Sequence, residues 1–155
     1  MHSTIYEITQ NQVDPDEWAT ESNFYEDDNV DYTTLLTGDE RTEAISDLYD
    51  SYLFSSLFSR GEVSDTIVYN GNIKVVKEEW YQNLQQELQS LIDGNSCDTY
   101  RLRKAINQPF AGYTLFCLPG WAGSSSCYPR ELLELLNTVE PGTVFHINSV
   151  FDYHW

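Results

Sequence analysis

"TVFHINSVFDYHW", residues 143–155, closes the chain, and its reading decides the fold class. Phe145, Ile147, Phe151, Tyr153 and Trp155 fall on one face at period two, which is the pattern of a long strand turned to a core. Pro141-Gly142 sets off its start. Further strands are expected at residues 3–9, "STIYEIT", and 112–118, "GYTLFCL". Residues 63–69, "VSDTIVY", and 72–76, "NIKVV", flank Asn70-Gly71 and predict a β-hairpin, because this turn pair accepts positive φ at both central positions. In residues 99–106, Tyr100, Leu102 and Ile106 alternate with Arg101, Arg103 and Ala105, which predicts a strand with one apolar and one basic face.

Helical spacing separates these runs. Thr37-Gly-Asp-Glu40 matches a capping box, and the helix it opens is expected to run to about Arg60, with Gly61 as a left-handed stop. Ile45, Leu48, Tyr49 and Tyr52 share an arc there, which Leu53, Phe54, Leu57 and Phe58 widen. A second helix places Trp80, Tyr81, Leu84, Leu88, Leu91 and Ile92 on one side and Gln82, Gln85, Gln86 and Gln89 on the other, ending at Gly94. Pro129 opens a third, "PRELLELLNTV", and Asp14-Pro15 a short one. The sum is an α+β fold: a mainly antiparallel sheet of about five to six strands, packed by two longer helices and one or two short ones. Residues 1–155 are read as a single domain, without repeat or linker. Strand order is not legible.

Charge divides the chain. Residues 1–59 hold 14 acids and one base, Arg41, whereas residues 60–155 hold 11 acids and seven bases, within a net charge of −17. Apolar residues at 41% still supply a core, which sets the chain apart from charge-rich disordered sequences. No run approaches the roughly 18 apolar residues of a membrane span, and the amino terminus lacks the basic and apolar stretches of a secretion signal. Cys97, Cys117 and Cys127 form no disulfide-framework spacing. A cytoplasmic protein is the expectation.

Signatures of common chemistry are absent: no phosphate-binding loop, no dinucleotide fingerprint, no HExxH and no nucleophile elbow. No cofactor and no metal is expected. Asp27, Asn29 and Asp31 imitate the start of a calcium loop, but Tyr32 and Gly38 stand where its glycine and bidentate Glu belong. One enzymatic alternative exists. Cys127 precedes a predicted helix whose amino terminus can activate a thiol, His146 on the next strand would act as base, and Asp152 or Asn148 would orient it, as in a cysteine-dependent hydrolase. The competing reading is that Cys127 only packs. Arg101, Arg103 and Lys104 are too few to bind nucleic acid directly against the acidic background and are expected to pair with acids of the chain.

The remaining signal is acidic. On a helical wheel Asp39, Glu43, Asp47 and Asp50 fall within an arc of about 80°, opposite Ile45, Leu48 and Tyr52. Each like-charged neighbour costs roughly 0.2–0.5 kcal/mol, so an ordinary solvated helix would intersperse bases. The row suits a basic protein surface: a nucleic-acid-binding enzyme blocked by DNA mimicry, or a toxin blocked by an immunity-type protein. Glu26, Asp27, Asp28 and Asp31 would extend it, and Trp18, Tyr25 and Tyr32 are residue types that anchor interfaces. The expectation is thus a non-enzymatic interaction or inhibitor protein that binds neither nucleic acid nor membrane; the alternative is a soluble domain whose acidic surface is merely solvated.

Overall fold

The structure, a computed structural model, describes residues 2–24, 32–94, 99–107, 114–117 and 129–154. Its strands are β1 (His2–Thr9), β2 (Tyr32–Leu35), β3 (Phe58–Arg60), β4 (Thr66–Tyr69), β5 (Thr114–Cys117) and β6 (Val144–His154). They form one six-stranded sheet in the order β3-β4-β6-β1-β5, with β2 also on β6. Only β5 is parallel to its neighbour, β1.

The terminal strand organises this sheet. β1 follows one edge of β6 from His2 opposite His154 to Thr9 opposite His146. The other edge is shared in tandem: β4 takes Val144 to His146, and β2 takes Phe151 to His154. Two single bonds bridge the interval between them, Ile147 N–H to the Asp65 carbonyl and Leu36 N–H to the Val150 carbonyl, each 2.8 Å.

On the β1 side the same interval holds a bulge. Register runs from Tyr6 opposite Val150 to Ile8 opposite Ile147, so Asn148 and Ser149 together oppose Glu7. The extra residue reverses the alternation. Phe145, Ile147 and Val150 join the main core, while Phe151 and Tyr153 pack with Ile5 in a second cluster. The single apolar face expected for residues 143–155 is therefore split between the two sides of the sheet.

Among the described residues five α-helices accompany the sheet: α1 (Gly38–Asp50), α2 (Tyr52–Leu57), α3 (Ile73–Asp93), α4 (Tyr100–Asn107) and α5 (Pro129–Leu136). Ile45 and Leu48 of α1, Leu57 of α2, Val76 of α3, and Leu132 and Leu136 of α5 meet Tyr6, Ile8, Ile67, Phe145 and Ile147 in the main core. Tyr6 is buried there and donates its hydroxyl to the Ala44 carbonyl at 2.7 Å. Burial, with a smaller contribution from the Asp47 charge, holds its phenol well above the usual tyrosine range. On the opposite side Phe24 lies edge-on to Phe151, with ring centres 4.8 Å apart.

The α+β class and the strand number agree with the sequence, but two expected strands are helices. Residues 72–76 open α3 and do not return along β4, because β4 already lies between β3 and β6 and has no open edge. Ile73 and Val76 are buried three residues apart, a spacing that suits the helix. Residues 99–106 lie largely in α4, where Leu102, Ala105 and Ile106 fall three and four apart at helical spacing, so Ala105 joins the apolar residues from which the expected alternation had separated it. Two unforeseen strands, the short β2 and β3, restore the count.

The expected helix from Thr37 to Arg60 is also broken. Gly38 takes φ 55°, and the Thr37 side chain makes no cap. At Ser51 the backbone turns extended; its hydroxyl donates to the Leu48 carbonyl at 2.7 Å and accepts from Phe54 N–H at 3.1 Å, closing α1 and capping α2. Phe58 then starts β3, so the broad arc of aromatics belongs to three elements, α1, α2 and β3, and the true hairpin turns at residues 61–65.

Gly71 keeps its importance for a different reason from the hairpin. Its φ is 81°, and a Cβ there would lie 2.8 Å from Pro141 Cγ. Gly71→Val is expected to lower unfolding free energy by about 2 kcal/mol, combining backbone strain with this crowding. Thermal unfolding beside the wild type measures it, and an unchanged midpoint would contradict the left-handed turn.

Candidate functional site: the acidic face of α1 and its surroundings

The interior face of α1 is set by Ala44, Ile45 and Leu48, all buried. Residues displaced by about half a turn must then face water. Asp39, Glu43, Asp47 and Asp50 do so, and all four are exposed. Neighbours three or four apart on such a helix stand about 5–6 Å from one another. None of the four is ion-paired with another described residue.

The one base of this segment points elsewhere. Arg41 enters the interval that β2 and β4 leave along β6. Its Nη2 donates to the carbonyls of Ile147 at 3.0 Å and Asn148 at 2.8 Å, its Nε also reaches Asn148 at 3.3 Å, and its Nη1 pairs with Asp65 at 2.7 Å. Trp18 lies beneath the guanidinium, 5.7 Å from ring centre to Cζ. A planar fork with five donors suits two adjacent carbonyls and a carboxylate at once, which a lysine ammonium cannot match. Arg41 thereby completes the sheet instead of offsetting the acidic row.

Beside the row opens a cleft of about 550 Å³ between α1 and the β3–β4 turn. Thr42, Ser46 and Tyr49 form its α1 wall, and Arg60, Glu62 and Asp65 lie opposite. The Arg60 guanidinium stacks on Tyr49 at 4.0 Å from the ring centre. Burial raises the Tyr49 phenol above its ordinary range, with Arg60 acting against the shift. Asp65 holds φ 57°, unusual for a residue with a side chain, and this turn directs its carboxylate to Arg41.

Compared with known proteins, the chain matches no family model, no curated protein and no solved structure. Its chemistry must be read from its own residues.

The other residues singled out in the sequence are dispersed. Trp18 is half-buried, donating Nε1–H to the Val13 carbonyl at 3.2 Å. Tyr32 is exposed on β2 and stacks on His154, with centres 5.1 Å apart. Tyr25, Glu26, Asp27, Asp28, Asn29 and Asp31 lie outside the described residues, as do Cys127 and Cys97. His146 is half-buried between Thr9 and Thr66, whereas Asp152 lies six residues further along β6 between Thr4 and Thr34. At about 3.3 Å per residue that places them roughly 20 Å apart, so Asp152 does not orient His146. Arg101 pairs with Glu87 at 2.9 Å, as its expected intrachain role requires.

What the sequence reading missed is polar and internal. Glu7 is buried at the bulge, where its Oε2 accepts from Ala19 N–H at 3.0 Å and Ser149 N–H at 3.3 Å. Ser149 donates its hydroxyl to the Ala19 carbonyl at 2.7 Å, and Asn148 donates to Thr9 Oγ1 at 3.3 Å. Two adjacent polar residues inside an apolar strand were the available sign of a bulge.

Proposed function

We propose that the chain is a non-enzymatic interaction protein whose acidic α1 face binds a basic protein surface, in the manner of a DNA-mimic or immunity-type inhibitor. The observation that carries this reading is the separation of charge on one helix: four exposed carboxylates stand in a row while the segment's only base is turned into the sheet. A solvated helix gains by alternating acids with bases, whereas this row tolerates repulsion on the order of 1 kcal/mol. Carboxylates held on a rigid helix form a charge array with fixed spacing, the condition under which electrostatic complementarity selects a partner and accelerates encounter. Glu26, Asp27, Asp28 and Asp31, with Tyr25 and Tyr32, would widen the same acidic surface in sequence.

Replacing Asp39, Glu43, Asp47 and Asp50 together by Asn or Gln is the test. The variant is expected to bind a basic partner at least about tenfold more weakly, while its stability stays level or rises by up to about 1 kcal/mol as repulsion is removed. Recovery of basic proteins from lysate, at low and high salt, compares the two chains. Wild-type recovery should fall with salt, because exposed charges are screened beyond about 8 Å at physiological ionic strength. Equal recovery by wild type and variant would overturn the proposal, as would the absence of any basic protein from the low-salt wild-type sample.

A further inference from the structure

We propose that the outer face of α3 is a self-association surface, through which two copies of the chain pair antiparallel. α3 is 21 residues long, yet only Ile73 and Val76 are buried in it. Beyond them Tyr81, Leu88 and Ile92 are 55%, 49% and 68% exposed. With Gln85 these residues follow the spacing four, three, four, which is the seam a helix presents to another helix. The seam is not what α4 covers: α4 is fixed on the adjacent flank, where Trp80 Nε1–H donates to the Ala105 carbonyl at 2.8 Å and Glu87 meets Arg101. A groove of about 570 Å³ runs over the seam, lined by Gln82, Gln85, Gln86, Leu88, Gln89 and Ile92.

Charge selects the occupant. Residues 80–92 contain one charged side chain, Glu87, already paired with Arg101 at 2.9 Å. Two molecules that each carry −17 repel over most of their surfaces, and this window is one where they can meet with few carboxylates brought together. A basic partner has no electrostatic reason to choose it. The spacing, four, three, four, also reads the same in both directions, so an antiparallel two-fold pair sets seam residue against seam residue along its length. Tyr81 then opposes Ile92 of the second copy and Gln85 opposes Leu88, with the flanking glutamines able to hydrogen-bond across.

This inference does not rest on the function proposed for α1, and the two respond oppositely to salt. Screening weakens attraction to a basic partner but relieves repulsion between like-charged copies. Sedimentation of the full chain over a range of concentrations should show a monomer–dimer equilibrium that shifts to dimer as salt is raised. Leu88→Glu is expected to raise the dimer dissociation constant at least about tenfold, and Ile92→Glu should repeat the effect. Val63→Glu adds the same charge at a 69% exposed apolar residue in the β3–β4 turn and should leave the equilibrium unchanged. Circular dichroism establishes that each variant is folded. A chain that stays monomeric at every concentration in high salt would overturn the proposal. So would wild-type dimerisation by both α3 variants, or an equal loss in Val63→Glu.

Discussion

Arg41→Met is expected to lower the free energy of unfolding by about 3 kcal/mol, measured by urea denaturation beside the wild type. The cost arises mainly at the carbonyls of Ile147 and Asn148, which lose three guanidinium hydrogen bonds where β6 has no strand partner on that edge. Leaving a buried acceptor unmade costs about 1–3 kcal/mol, and bonds to a charged donor lie towards the upper end. Met is close to the arginine stem in length and apolar character but lacks the guanidinium that lies over Trp18, a lost cation–π contact that adds to the cost. The ion pair itself contributes less, because the Asp65 side chain is 38% exposed and water can take over its carboxylate. Arg41→Lys keeps the charge but not the fork and should fall between the two. A loss below about 1 kcal/mol in Arg41→Met would reduce Arg41 to a surface ion-pair partner. It would also remove the reason this base is unavailable to the acidic row.

How much of this was legible in the sequence depends on the range of the force involved. β1, β5, β6 and α5 could be read because their patterns are local and strong, and Asp14 caps the short turn at Pro15–Glu17 as expected. The acidic arc was legible for the same reason, since helical spacing alone puts Asp39, Glu43, Asp47 and Asp50 opposite Leu48. The Asn70-Gly71 hairpin failed because a turn pair fixes only a change of direction. Whether the next residues pair as a strand depends on whether β4 has an open edge, and β6, about 75 residues away in sequence, had taken it. Residues 99–106 failed because eight residues are too few to separate two periods when packing against Trp80 decides. Arg41 was noticed only as the lone base of an acidic segment; its role needed the unforeseen β2 to leave a gap beside β4.

Glu7 provides the sharpest separation of charge from geometry. Both amides that reach it, from Ala19 and Ser149, donate to the same oxygen, Oε2. Glu7→Ala leaves two amides, one buried and one part-buried, without their acceptor, and leaves the Ser149 hydroxyl to Ala19 carbonyl bond to hold the 18–20 segment to the β6 bulge. At about 1–3 kcal/mol for each orphaned group, partly relieved by water entering the space left by the side chain, the expected loss is about 3 kcal/mol. Glu7→Gln should cost about 1 kcal/mol or less, because one amide oxygen in the place of Oε2 accepts both bonds and only the charge-assisted part is lost. Equilibrium unfolding of the two variants distinguishes a site that needs an acceptor from one that needs a carboxylate. If Gln were as damaging as Ala, the negative charge itself would be required there. Glu7 would then belong with the electrostatics of the acidic segment instead of with the hydrogen bonding of the bulge. With Gln tolerated and Ala not, residue 7 is set apart from Asp39, Glu43, Asp47 and Asp50, whose neutral variants are expected to lose a partner and no stability.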